Sequence, residues 1–153
     1  SLPGASIGLG DRFSPARKLL DAGAIFSIAS DWNPGSAPMG NLITQASILA
    51  TFQKLSTAEV LSGLTFRAAF ALNFQDRGKL EKGYFADIIV VDLEKEWIVG
   101  VDETIESKCK WTPYENWKLK GKNILTIVNG NIVYENGEIK ENIKKGKEVK
   151  FYE

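Results

Sequence analysis

Residues 24–30, AIFSIAS, make a compact run of apolar and small side chains bounded by Gly23 and Asp31. That length and that glycine boundary predict a strand buried on both faces, the kind found in parallel sheets covered by helices. Helix signals flank it. Upstream, SPARKLLDAG offers Ser14 as N-cap, Pro15 at the first helical position, the apolar pair Leu19 and Leu20, and Gly23 as a stop. Downstream, GNLITQASILATFQKL sets Leu42, Ile43, Ala46, Leu49, Ala50 and Phe52 at mostly helical spacing. In STAEVLSGLTFRAAFALNF, Ser56 stands three residues before Glu59 in a capping-box pattern, and Val60, Leu61, Leu64, Ala68, Ala71 and Leu72 continue a second helix. Helix, strand, loop, helix, helix is the order of the closing units of an α/β architecture.

The pattern changes near Asn73. Beyond it come short β-branched runs broken by turns, with residues 88–91 the clearest strand. In NILTIVNGNIVYENGEI, runs at 124–128 and 132–134 meet at Asn129 and Gly130, the dipeptide preferred in type I′ hairpin turns, and Asn136 with Gly137 offers a second turn. A long irregular connection is expected over 97–121.

Charge excludes some partners. Nineteen basic side chains balance nineteen acidic ones, which removes the electrostatic argument for nucleic acid or an anionic membrane. The basic run KENIKKGKEVK at 140–150 carries interspersed acids and reads as a solvated tail. No apolar run approaches the ~18 residues that span a bilayer. Cys109 is the single cysteine, so no internal disulfide forms, and a reduced cytoplasm is the expected compartment. The opening SLPGASIGLG reads as though it began in mid-loop, which points to a truncated chain.

The segment SDWNPGSAPMG carries the chemistry. A carboxylate at the C-terminal end of a buried parallel strand lies where α/β barrels and open α/β sheets place their active sites, and Asp31 holds that position. Such a group serves as a hard oxygen ligand to a divalent metal or as the base that takes a proton from metal-bound water. Asn33 has an amide for a polar substrate group, Gly35 lets backbone approach closely, Ser36 adds a hydroxyl, and Pro34 and Pro38 limit the freedom lost on binding. The same residue types also build ordinary strand-to-helix turns, and an Asx-turn at Asp31 stays open as the alternative. The chain has no histidine.

LPGA at 2–5, PARKLLDAG, ASDWNPGS at 29–36 and DRGKLEKGYFADIIVVD at 76–92 resemble, in order and spacing, the C-terminal part of the metal-dependent amidohydrolase superfamily. Asp31, Asn33, Pro34, Gly35 and Ser36, with the preceding LPGA, are similar to the loop of the imidazolonepropionase family, which opens the imidazolone ring in histidine degradation. The resemblance implies an α/β fold: the C-terminal part of a (β/α)8 barrel followed by the C-terminal strands of a small β-sandwich. Residues 1–75 would be the last βα units of the barrel, and 76–153 the sandwich portion with its C-terminal hairpin. Asp31 would then be the aspartate that binds zinc or iron and handles the proton of the attacking water. Asn33, Gly35 and Ser36 would contact a small cyclic amide substrate. The family's histidine ligands lie upstream of such a segment, so the other metal ligands are expected outside this chain. The segment alone is expected to be inactive, with the missing N-terminal half or a homo-oligomer as its protein partner.

SKCKWTPYENWKLKGKNILTIVNGNIVY at 107–134 resembles instead the tail of dihydroorotase and related cyclic amidases. Those enzymes carry a histidine just after the aspartate, where Trp32 stands here. A dihydroorotase- or hydantoinase-like cyclic amidase is therefore the enzymatic alternative, and a catalytically silent relative used for assembly or binding is the alternative from another class. Trp111, Tyr114 and Trp117 read as packing aromatics.

Overall fold

A computed structural model describes residues 1–141, 143 and 146–150 of the chain. It is a mixed α/β structure of two compact units, Ser1–Tyr84 and Phe85–Val149. The basic run at 140–150 lies partly outside the described residues, at Asn142, Lys144 and Lys145. Among the described residues no helix is long and apolar enough to cross a membrane.

The first unit holds five helices: α1 (Pro3–Leu9), α2 (Ala16–Asp21), α3 (Leu42–Gln53), α4 (Thr57–Leu64) and α5 (Phe66–Ala71). Its core is Ala16, Phe26, Ile28, Ala46 and Leu49, with Phe13, Leu20, Leu42, Leu55, Val60 and Leu64 packed around them. Of the expected inward positions, Leu42, Ala46, Leu49, Val60 and Leu64 do face the core, whereas Ile43, Phe52 and Leu61 are exposed. Asn41 caps α3 by accepting the Thr44 N–H, and Ser56 and Glu59 close the expected capping box on α4.

In this unit three expectations are corrected. Residues 24–30 join no strand ladder: Phe26 and Ile28 are buried, but Ile25 just before them is 57% exposed, so one face is covered rather than two. Pattern marks a segment for burial, whereas a strand also needs neighbours. Beside this one runs Ser1, whose nitrogen donates to the Ser27 carbonyl at 2.7 Å and whose carbonyl accepts the Ala29 N–H at 3.0 Å. These two bonds bracket Ile28 as a parallel partner would. On the other side the Ile28 N–H goes to the carbonyl of Gly63 in α4, where helix and segment approach closely.

Ser14 does not cap α2. Its hydroxyl donates to the Ser1 hydroxyl at 2.6 Å, and Pro15 takes the N-cap position without a side-chain bond. The second long helix is broken at Thr65, whose φ of −121° and ψ of −102° leave the helical region while its hydroxyl donates back to the Leu61 carbonyl. One further helix, α1, was not legible in the Gly-rich opening.

The second unit is a four-stranded antiparallel sheet of order β1-β2-β3-β4, with β1 (Ile88–Ile98), β2 (Lys118–Val128), β3 (Asn131–Glu135) and β4 (Glu138–Ile139). Both expected turns form, with positive φ at Asn129, Gly130, Asn136 and Gly137 as type I′ geometry demands. The irregular connection is shorter than expected, because β1 runs on to Ile98 and β2 begins at Lys118. Tyr114 and Trp117 meet edge to face at 5.3 Å, yet they and Trp111 stay exposed, so they form a surface pair rather than a core.

Candidate functional site

The loop over 31–39 begins where the half-buried extended segment ends. Asp31 turns the chain with φ of 49°, a left-handed conformation that aspartate tolerates better than most side chains. Its side chain is exposed, and its carboxylate makes no hydrogen bond or ion pair with the described residues. The Asx-turn alternative at Asp31 is therefore not what forms.

The turn belongs to Asn33. Its Oδ1 accepts the Gly35 N–H at 2.9 Å and the Ser36 N–H at 2.8 Å, while its Nδ2 donates to the Asp31 carbonyl at 2.6 Å and to the Ser36 Oγ at 3.0 Å. The Asn33 N–H also donates to the Ala37 carbonyl at 3.1 Å in an antiparallel bridge that closes the loop over fully buried Ala37. Asn33, Gly35 and Ser36 are thus brought together in one four-residue turn, and Asp31 is joined to it through its backbone rather than its carboxylate. The side-chain amide that the sequence offers to a substrate is engaged inside its own turn, and the half-buried Ser36 hydroxyl is engaged there with it, donating to the Asn33 Oδ1 at 3.3 Å. Trp32 is 72% exposed and lays its ring against Gly40, where a Cβ would approach its indole to 3.2 Å.

A single carboxylate does not make a metal site. Among the described residues no three His, Cys, Asp or Glu side chains converge in a way that could hold an ion, and a divalent cation needs several preorganised donors. Asp31 fits as one oxygen donor and no more. A separate cleft of about 580 Å³, lined by residues such as Ile25, Phe66, Arg67, Phe70 and Arg77, lies at the Gly23 end of the extended segment. At ~3.3 Å per residue that end is on the order of 20 Å from Asp31, so the cleft is no part of this loop.

Sequence reasoning missed Gln45. It occupies the inward stripe of α3 with Leu42, Ala46 and Leu49 and is fully buried. Its Oε1 accepts the Gly4 N–H at 3.0 Å, and its Nε2 donates to the Met39 carbonyl at the end of the loop. A glutamine three residues after Leu42 and four before Leu49 was the available signal, a polar residue standing where the helical period calls for an apolar one.

Comparison with known proteins adds what one chain's geometry leaves open. The sequence pattern of the amidohydrolase family matches residues 5–133. The chain belongs to the amidohydrolase family. Within the family it is 37% identical over 123 residues to the dihydroorotase of Pyrococcus horikoshii, a match covering 73% of this chain and 29% of that protein. It is 41% identical over 91 residues to the imidazolonepropionase of Deinococcus radiodurans, covering 60% and 23%. Among solved structures it is similar to a triazine hydrolase variant, with a TM-score of 0.62 and 26% identity over 90% of this chain and 31% of that one. The atrazine chlorohydrolase of Arthrobacter aurescens, complexed with zinc and atraton, gives a TM-score of 0.63 and 25% identity over the same shares. The chain spans roughly a quarter to a third of the length of these relatives, at 29%, 23% and 31%.

Proposed function

We propose that this chain is the C-terminal part of a cytoplasmic, metal-dependent amidohydrolase that cleaves the C–N bond of a cyclic amide, with imidazolonepropionate as its substrate in histidine degradation. The observation that carries the reading is the Asp31 carboxylate, unengaged by any described residue, at the end of the segment whose Phe26 and Ile28 build the core. The backbone of Asp31 is anchored by that segment and by the Asn33 amide, while the carboxylate oxygens face solvent.

In this reading residues 1–75 are the last βα units of a (β/α)8 barrel and 76–153 the C-terminal share of a β-sandwich. The bracketing of Ile28 by Ser1 supports a parallel neighbour on that side of the segment. A divalent metal, zinc or iron, would supply Lewis acidity and lower the pKa of a bound water when held by Asp31 together with donors from outside this chain.

Asp31 takes the proton of the attacking water as its oxygen bonds to the ring carbonyl carbon, and returns that proton to the ring nitrogen as the C–N bond breaks. Ser36 turns its hydroxyl toward the substrate, Gly35 leaves its backbone bare for close approach, and Asn33 holds both in register with Asp31.

A dihydroorotase-like reading has its own support, because matches to dihydroorotases run over 73% and 78% of the chain whereas those to imidazolonepropionases cover 60% and 65%. Hydrolysis of imidazolonepropionate, dihydroorotate and hydantoin by the full-length protein that carries this chain separates the two. Preferential turnover of imidazolonepropionate is expected. Preference for dihydroorotate transfers the assignment to the second reading, and turnover of none of them, with no stoichiometric metal bound, leaves the protein a silent relative.

A further inference from the structure

We propose that Gln45 is a positioning residue for the Asp31 site, acting through α1 on the turn that carries Ser36; this rests on the reading of the loop as catalytic. A buried amide requires partners at both ends. Gln45 has them in two different places: Gly4 in the first turn of α1 and Met39 at the exit of the loop. One side chain on α3 therefore ties helix and loop to the same point.

α1 touches the loop a second time. A Cβ on Gly8 would stand 1.9 Å from the Ser36 carbonyl oxygen, and a Cβ on Gly4 would stand 2.8 Å from the Gln45 Oε1. Residues four apart lie on one helix face, so a single glycine face of α1 seats Gln45 at one end and Ser36 at the other. A methyl group at Gly8 would collide with backbone, and one at Gly4 would displace the end of the Gln45 side chain. A displacement of α1 is thus passed to the Ser36 backbone, and from Ser36 through Asn33 to the Asp31 carbonyl, since Asn33 bonds to both.

The device is read by substrate affinity. In the full-length protein, Gln45→Met keeps volume and burial but removes both bonds, while Gly8→Ala keeps both bonds, installs a better helix former and forces Ser36 to move. Each is expected to raise KM for the cyclic amide about tenfold or more as Ser36 moves, with any fall in kcat from the displaced Asp31 coming on top of that rise. Unchanged KM in both variants would overturn the proposal whatever kcat does, since a smaller folded fraction lowers kcat alone. A second readout does not depend on activity: in amide NMR spectra, Gln45→Met is expected to shift the Gly35 and Ser36 resonances together with that of Gly4. Movement of Gly4 alone makes Gln45 a local clamp and overturns the proposal. If wild-type protein hydrolyses no cyclic amide while Gly35 and Ser36 still shift, the catalytic reading fails and the positional link stands.

Discussion

The Asn33 side chain grips Ser36 and Asp31 at once: its Oδ1 accepts the Ser36 N–H at 2.8 Å and its Nδ2 donates to the Asp31 carbonyl at 2.6 Å. One planar amide thereby fixes the distance between the residue that supplies a carboxylate and the residue that supplies a hydroxyl. Asn33→Ala removes every one of these bonds. It is expected to cost about 1–2 kcal/mol in urea denaturation, the net worth of a small set of turn hydrogen bonds. Asn33→Asp keeps the acceptor and loses the donor to Asp31, so it should lie between Ala and wild type.

Leu49 is fully buried, at 0% relative exposure, in the core with Phe26 and Ile28. Leu49→Ala should destabilise by about 2–5 kcal/mol through lost burial and the cavity left behind. Denaturation of the variant, followed by circular dichroism, measures it.

Glu59 supplies a pH dependence. The Ser56 backbone N–H, then the Arg17 guanidinium and the Ser56 hydroxyl, hold its carboxyl down to about 2 from an ordinary value of 4.5. A depressed folded-state value means that the stabilisation is fully present above pH 4.5 and disappears as pH falls toward 2. Glu59→Gln should therefore be less stable than wild type at neutral pH, and the gap should narrow through that acid window. A gap independent of pH between 7 and 2 would show that the charge on Glu59 is not what stabilises the cap.

Gly130 separates backbone effects from packing. Its φ is 79° and a Cβ there would meet nothing within 4 Å, so Gly130→Ala is strained by conformation alone. A cost of about 1 kcal/mol is expected from thermal denaturation, with the hairpin register unchanged.

What was legible in the sequence follows from what local chemistry can encode. The Ser56 and Glu59 cap and the two Asn-Gly turns depend on residues within a few places of one another and form as their spacing implies, while on α3 Leu42, Ala46 and Leu49 turn inward and Ile43 and Phe52 do not. Residues 24–30 were legible as a segment marked for burial. Their exposed face was not, because whether Ile25 is covered depends on what stands next to it. α1 escaped notice because Gly4 and Gly8 are poor helix formers; they are tolerated for the close contacts they permit with Gln45 and Ser36. Ser14 has the chemistry of a cap but finds Ser1 instead, thirteen residues away. At the site the residue types were readable and the bonds were not. Nothing in Asn33 as a letter says that its amide will be taken up by its own turn, or that the Asp31 oxygens will be left unengaged by the described residues.

The central claim is that Asp31 moves the proton of the attacking water. The direct measurement is kcat/KM of Asp31→Asn in the full-length protein on imidazolonepropionate, with circular dichroism and metal content recorded on the same preparation. Asparagine keeps the size of the side chain and its tolerance of the left-handed φ of 49° while removing the base. The expected result is a fall of about a hundred- to ten-thousand-fold with the fold intact. Activity within a few fold of wild type, on a preparation equally folded, would contradict the account.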